Sequence, residues 1–167
     1  MFNAFLKIDG IDGECKDSKH SGWITALSYT IGLSQSSSPI KGDAGGAAEG
    51  RSEFDDLVIR KYIDNSSPQI SFFCAKGNHI AEVILELWRA GGEKMKYMEY
   101  KLTNAIISSV KTEVVKVEDS RGRQSEFPIE TVGFDYGRID WTYTPQSREG
   151  GTGEGDNSEG YDIEQDE

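Results

Sequence analysis

The sequence predicts a mainly β protein, an antiparallel β-barrel of two packed sheets with one short flanking α-helix and a long extended loop. Three observations lead to this prediction. Apolar and polar residues alternate along most of residues 2–143, which is the period of half-buried strands. Turn residues such as Gly91-Gly92 separate the alternating segments, and strands at this spacing are typical of barrels and sandwiches. One segment, about residues 67–76, has instead the period of a helix.

Each alternating segment is expected to present one apolar face to the core, because successive side chains of a strand point to opposite sides. In chain order the faces are Phe2, Ala4, Leu6 and Ile8; Trp23, Thr25, Leu27, Tyr29, Ile31 and Leu33; Ala81, Val83, Leu85 and Leu87; Met98, Tyr100 and Leu102; Val110, Thr112 and Val114; and Val132, Phe134 and Tyr136, followed by Ile139, Trp141 and Tyr143. Phe5 interrupts the first pattern. These aliphatic and aromatic faces would fill a small barrel.

Residues 67–76 carry signals for both ends of a helix. Ser67 is expected to cap the first turn, and Pro68 suits a position at its start. Gly77 is expected to provide the left-handed residue that follows the last turn. The apolar stripe of the helix is Ile70, Phe73 and Cys74. Because so short a helix is marginal alone, we expect this stripe to pack on the barrel, with Cys74 as a buried thiol.

Two segments have no apolar period. The first, about residues 34–51, is predicted to be the long loop, and loops of this length in a compact domain tend to be functional or disordered. The second, residues 145–167, holds eight acidic residues and one basic residue, and it is rich in glycine and serine. So few apolar groups do not offset the entropy of ordering. We therefore expect a barrel domain of residues 1–144 and a disordered acidic tail of residues 145–167.

The composition excludes several classes of function. The net charge is −11 and the basic residues do not cluster, which disfavours binding to nucleic acid. No apolar run approaches the roughly 20 residues of a membrane span. The alternating start of the chain is typical of a strand and not of a signal peptide. Cys15 and Cys74 are expected to be free thiols in a reducing cytoplasm.

The sequence offers no pattern that predicts a catalytic, metal or cofactor site. The glycine-rich run of residues 42–50 lacks the GxxxxGK[ST] spacing of a phosphate-binding loop, and there is no GxSxG motif. The two histidines and two cysteines have no metal-binding spacing. In the polar connection before Trp23, Glu14, Asp17 and His20 are predicted to form a local hydrogen-bond network. The chain is therefore interpreted as a structural protein and not an enzyme.

Two motifs resemble those of the Hcp (haemolysin-coregulated protein) family, the tube proteins of bacterial type VI secretion systems. The matching residues are Gly13, Glu14, Asp17, His20 and Trp23 near the amino terminus, then Lys61, Tyr62, Asp64, Ser67 and Pro68 before the helix, and Gly77 and His79 after it. The resemblance spans about residues 2–143 and leaves out the acidic tail. Cys15 stands where a serine is commoner in the family.

The resemblance implies a subunit of the type VI secretion inner tube. Hexameric rings would stack into a tube that a contractile sheath expels, with a spike protein at its tip, baseplate proteins as further partners and small effector proteins carried or stabilised in its lumen. The motif residues would have structural or interface roles, and the ring-stacking loop would include Ser36, Gly42, Gly45, Gly46 and Gly50. The protein would assemble in the bacterial cytoplasm and then be secreted to the medium or a target cell without a cleaved signal peptide.

Two alternatives remain open from the sequence. A phage-type tail tube protein would use the same barrel, and only the Glu14–His20–Trp23 segment favours the secretion family over it. A small ligand-binding or hydrolytic β-barrel would need polar groups that converge among the inward-facing residues, whereas the alternating faces are apolar.

Overall fold

The computed structural model describes residues 2–35, 52–90, 94–118, 121–145 and 155–166. The strands in these residues are β1 Phe2–Ile8, β2 Ile24–Ala26, β3 Ser28–Thr30, β4 Leu33–Gln35, β5 Ser52–Phe54, β6 Leu57–Tyr62, β7 Ile80–Arg89, β8 Lys96–Glu118, β9 Gln124–Tyr143 and β10 Asn157–Asp162. The helix is α1, Ser67–Lys76. The predicted class, antiparallel β with one short helix, is confirmed.

Most strands belong to one antiparallel sheet with the order β2-β1-β7-β8-β9-β6-β3, and β10 adds to β9. The strands at the two ends of this order, β2 and β3, are separated only by Leu27. The Leu27 N–H donates to the Arg60 carbonyl of β6 over 2.7 Å. The path of strands therefore returns to its starting point, as in a barrel. Strands β4 and β5 pair with each other in a small second sheet.

The hydrophobic core lies on the inward face of this path. Every second residue of β6 is buried at Leu57, Ile59 and Lys61, and the alternation is the one expected for a strand with one face on the core. The largest fully buried apolar side chains are Leu6, Ile8, Ile24, Leu57, Ile59, Ile70, Ile80, Leu85, Leu102, Phe134 and Ile139. Each such side chain contributes roughly 1.5–3 kcal/mol when it leaves water.

The predicted apolar face of residues 23–33 is wrong in its first half and at its last residue, Leu33, which is 55% exposed. Ile24 and Ala26 are buried, whereas Thr25 and Leu27 are exposed. The chain bends at Leu27, between β2 and β3, so the alternation changes phase there. A single face along this segment would require one uninterrupted strand.

A second face is shifted at the start of β7. Ile80 is buried and Ala81 is exposed, the reverse of the predicted order. The facing strand changes phase at the same level, where Asn104 has a φ of 53°. This left-handed residue interrupts the alternation of β8, so that Leu102 and Ala105 both point into the core.

Helix α1 has the predicted bounds, but its amino terminus is built differently from the expectation. Ser66, not Ser67, is the N-cap residue, and it makes no side-chain capping hydrogen bond. The Ser67 hydroxyl turns inward instead, to Lys61 and Glu130. Gly77 adopts the predicted left-handed conformation, with a φ of 63°. In the described residues, no helix is long and apolar enough to cross a membrane.

The apolar stripe of α1 packs on the core as expected. Ile70 is fully buried, and Phe73 and Cys74 are partly buried against the core. The Cys74 thiol is therefore less enclosed than predicted. Cys15 is also partly buried, and both cysteines are free.

The prediction of a disordered tail is wrong for Asn157–Asp162, which pair as β10 with residues 138–143 of β9. Strand β6 pairs with β9 only between Ile129 and Phe134. The same edge of β9 beyond Phe134 is therefore open to another strand. The Tyr161 ring stacks on Phe54 at 5.3 Å, and Ile163 packs against the core. These contacts supply the apolar packing that the polar residues of β10 cannot provide. The boundary between residues 1–144 and residues 145–167 stays a prediction.

The predicted long loop begins and ends in the small sheet. Leu33–Gln35 and Ser52–Phe54 pair with each other as β4 and β5, so the loop begins two residues later than predicted, and β5 starts directly after its predicted end. Residues 36–51 between them lie outside the described residues, and with them the predicted stacking positions Ser36, Gly42, Gly45, Gly46 and Gly50.

Candidate functional site

The amino-terminal motif converges on His20, whose ring is only 2% exposed. Its Nδ1 lies 3.0 Å from an Asp17 carboxylate oxygen, and its Nε2 lies 2.8 Å from a carboxylate oxygen of Glu86 on β7. The predicted network therefore exists between Asp17 and His20, but Glu86 takes the place that the prediction gave to Glu14. The imidazole can donate from both nitrogens only in its cationic form.

Three aromatic rings enclose His20. Phe5 stacks on it with 3.9 Å between ring centroids, and Trp23 and Trp88 meet it edge-on at 4.9 Å and 5.0 Å. Phe5 thus breaks the alternation of β1 because it packs under the histidine on the outer face of the strand. The Trp88 indole N–H donates to the same Glu86 oxygen over 2.8 Å. The motif fastens a polar connection onto the outer surface of the barrel.

The charges around His20 keep both carboxylates ionised at neutral pH. Hydrogen bonds from Lys94 and then His20 hold the pKa of Asp17 well below its ordinary value. Partial burial acts to raise the pKa of Glu86, but hydrogen bonds from His20 and Trp88 bring that pKa below its ordinary value. Lys96 also contacts Glu86, at 3.3 Å. Each carboxylate is therefore a hydrogen-bond acceptor in a structural cluster.

Gly13 is required by a close approach of the backbone. A Cβ at this position would lie 2.4 Å from the Trp23 carbonyl oxygen. The backbone around Gly13 runs beside the backbone at Trp23, where the Cys15 N–H donates to the Trp23 carbonyl oxygen over 2.9 Å. Any larger residue at this position would push these two backbone segments apart. Glu14, the next residue, is exposed.

The second motif converges on Lys61, which has no exposed surface. Its Nζ lies 2.8 Å from Glu130 on β9, 2.9 Å from Asp64 and 3.2 Å from the Ser67 hydroxyl. The Ser67 hydroxyl donates to Glu130 over 2.7 Å. This cluster ties β6, β9 and the first turn of α1 together. Because every charge in it has an opposite partner, the buried lysine is tolerated.

Sequence reasoning missed two residues that complete these clusters, Glu86 and Glu130. Both are distant in sequence from the motif residues they contact. Glu130 could have been noticed, because it falls on the inward face of β9 in phase with Val132 and Phe134. A lone carboxylate on a buried face needs a cationic partner.

The remaining motif residues are dispersed. Tyr62 is 48% exposed and its ring meets that of Phe127 at 5.8 Å. Pro68 is exposed in the first turn of α1, and Gly77 ends that helix. His79 is exposed, with its Nδ1 3.2 Å from the Asn104 side-chain oxygen.

A groove of about 250 Å³ lies between the two motif segments. Its lining residues are Glu14, Cys15, Lys16, Thr25, Tyr62, Ile63 and Asp64. The structure therefore brings three predicted site residues to one groove, Glu14, Tyr62 and Asp64. Ile63 is 47% exposed beside them, so the groove offers both apolar and charged groups.

Beyond the barrel, residues 111–118 of β8 and 124–128 of β9 continue together as a two-stranded ribbon, and we call residues 111–128 the arm. The pattern at Val110, Thr112 and Val114 correctly predicts a strand. It does not predict that Thr112 and Val114 are exposed. Across the described arm, only Val115 is partly buried.

These arrangements organise the surface, and their chemistry is that of ion pairs and hydrogen bonds. Within the described ranges, no group of three or more histidine, cysteine, aspartate or glutamate residues could hold a metal ion. The geometry of the His20 and Lys61 clusters fixes the connection before β2 and the start of α1.

Comparison with known proteins gives consistent similarities over this whole fold. A family model described as "Type VI secretion system effector, Hcp" matches residues 5–143. The chain is 33% identical over 164 residues to Protein hcp1 of Pseudomonas aeruginosa, which covers 98% of this chain and 96% of that relative. A solved structure of a type six secretion system protein has a TM-score of 0.84 at 26% identity and covers 100% of this chain and 99% of its own. Hcp1 from Salmonella typhimurium has a TM-score of 0.74 at 28% identity, covering 99% and 97%.

Proposed function

The chain belongs to the Hcp family of type VI secretion proteins, and from this membership we propose that it is a structural subunit of the secretion tube. The observation that carries the proposal is the family match over residues 5–143, which includes both motifs and the helix. The phage-type and ligand-binding alternatives are not favoured, since the similar proteins are secretion proteins.

Self-assembly is the central part of this function. Copies close into hexameric rings, and a closed ring requires a contact in which one patch of a subunit meets a different patch of the next. The His20 and Lys61 clusters support such contacts by holding the surface segments around them in fixed positions. The exposed motif residues Glu14, Tyr62 and His79 are then available at the subunit surface.

The tube has further partners, which follow from the family resemblance. A spike protein sits at its tip, a contractile sheath and baseplate proteins are further partners, and small effector proteins are carried in its lumen. The long loop, with Ser36, Gly42, Gly45, Gly46 and Gly50, takes part in the stacking of rings. The subunit acts as a scaffold and not as a catalyst.

The protein assembles in the cytoplasm and leaves the cell with the tube. Phe2–Ile8, the segment expected to be a strand and not a signal peptide, pairs with both β2 and β7 and buries Leu6. These residues are part of the folded subunit, which supports export of the assembled protein without cleavage in this segment.

Export that depends on the contractile sheath tests the proposal. We expect the protein in the culture medium of bacteria with an intact secretion system and only inside cells that lack the sheath. A cytoplasmic enzyme measured in the same fractions controls for lysis. Equal amounts in the medium with and without the sheath would contradict a tube function.

A further inference from the structure

The arm leaves the barrel as a ribbon without support from other strands. The pairing of β6 with β9 ends at Ile129, and the pairing of β7 with β8 ends at Ala105. Beyond these points residues 111–118 and 124–128 pair only with each other, as far as the described chain shows. Eight strand residues extend roughly 27 Å at about 3.4 Å each. The arm is thus long enough to reach across a neighbouring molecule.

One face of the arm carries an apolar patch. Val115 pairs with Phe127, and Val117 follows two residues later, so all three side chains share a face. Tyr62 of β6 extends this face, since its ring contacts Phe127. We call these four residues the arm patch: Tyr62, Val115, Val117 and Phe127. Val117 is 51% exposed, Tyr62 48% and Phe127 39%.

The arm patch is unusual for a surface that faces water. A two-stranded ribbon alone is at best marginally stable in water, and it needs a hydrophobic face packed on something else. Contiguous exposed apolar groups on such a ribbon mark an interaction surface. The β-branched and aromatic residues here suit strand packing.

The charge distribution indicates which partner fits. Residues 111–128 hold four basic and four acidic residues, so the arm is neutral and the net charge of −11 lies on the rest of the chain. Within the arm, charges are paired across the strands, as at Lys116 and Glu126, 3.3 Å apart. Acidic bodies of two copies repel each other, whereas a neutral apolar arm can approach an acidic body without that cost.

We propose that the arm patch binds a second copy of this chain and forms one of the two unlike patches of the ring contact. The proposal rests on the proposed tube function, because it assigns a surface to the self-assembly of that function. Burial of the patch against the neighbour completes the packing that the ribbon lacks in a single chain.

Paired variants of matched exposure test the role of the arm patch. The double variant Val117→Thr/Phe127→Thr removes apolar area but places at both positions a β-branched residue that suits a strand. The control Phe72→Gln removes an aromatic side chain that is 55% exposed on α1. Sedimentation velocity across a concentration series measures assembly, and far-UV circular dichroism reports the fold. We expect the double variant to need about 10-fold more protein for half-assembly, and the control to match the wild type.

The outcomes separate the two proposals. A double variant that assembles at the wild-type concentration overturns the arm interface while leaving the tube function intact. A wild-type protein that never forms rings overturns the tube function itself, and the interface with it. If the double variant fails to fold, hydrogen exchange of the wild type decides: amides of residues 113–117 gain protection on assembly if the arm is buried, and unchanged exchange contradicts the interface.

Discussion

Lys61 and His20 are the buried polar side chains on which the two motifs converge, and each faces two carboxylates. A buried polar side chain is costly unless it is hydrogen-bonded, and a buried cation such as the Lys61 ammonium must also be paired. The fold meets that cost with residues from different strands, Glu86 of β7 and Glu130 of β9. The motifs therefore fix how the surface segments sit on the barrel.

Replacing Glu130 with alanine tests the Lys61 cluster. Glu130→Ala leaves Lys61 with a single carboxylate, Asp64, and should lower the free energy of unfolding by about 3–5 kcal/mol. The matched control is Glu126→Ala on the arm, where the carboxylate and its partner Lys116 are exposed and the loss should stay below about 1 kcal/mol. Denaturant titration followed by tryptophan fluorescence measures both values. Equal losses in the two variants would show that the buried cluster contributes no more than a surface pair.

At the residue scale, the sequence predicts the members of each cluster that are close to one another along the chain. Asp17 and His20 are three residues apart, and their spacing was enough to predict a contact that the structure confirms. Glu86 and Glu130 are brought in by the pairing of strands, which no local pattern contains. The wrong cap assignment has the same cause, since Ser67 is drawn inward by Glu130.

At the scale of elements, the helix and strands whose signals lie in their own sequence were predicted. Elements that form or stay exposed because of a neighbouring strand were not. The end signals of α1 lie within or beside the helix, so its bounds could be predicted from sequence alone. Strand β10 is polar, and it forms because the edge of β9 is open beside it. The sequence of the arm has the same alternation as the buried strands, so its exposure could not be predicted from period alone.

Truncation tests how far the barrel depends on the carboxyl-terminal strand. Removal of residues 150–167 deletes β10, which is mostly exposed and lies at the edge of the sheet. We expect the shortened protein to remain soluble with an unchanged far-UV circular dichroism spectrum, since most of the core comes from residues before 144. Gly160→Val in the full chain is the control, because a Cβ there would meet only the movable ends of the Asp140 and Arg138 side chains, so this variant should keep β10 and the wild-type stability.

Two results would argue against a separable tail. Loss of solubility or of β structure on truncation would show that β10 is part of the folding unit and that the boundary at residue 144 is wrong. A Gly160→Val variant less stable than the truncated protein would show that a change within β10 also destabilises β9.

At the scale of the whole molecule, charge and shape point to the same mode of assembly. The body of the subunit is acidic, so copies of it repel one another. The arm is neutral and carries exposed apolar residues, so contacts between copies can form there without bringing like charges together. A barrel that projects one such arm has the unlike surfaces that a closed ring needs.

Electron microscopy of the purified protein tests the central claim, self-assembly into rings, most directly. Negatively stained wild-type protein at tens of micromolar should show rings with an open centre and sixfold symmetry. The mass from light scattering on the same sample should correspond to six copies of the 18.5 kDa chain. A monodisperse monomer at that concentration, with no rings in the images, would contradict the account.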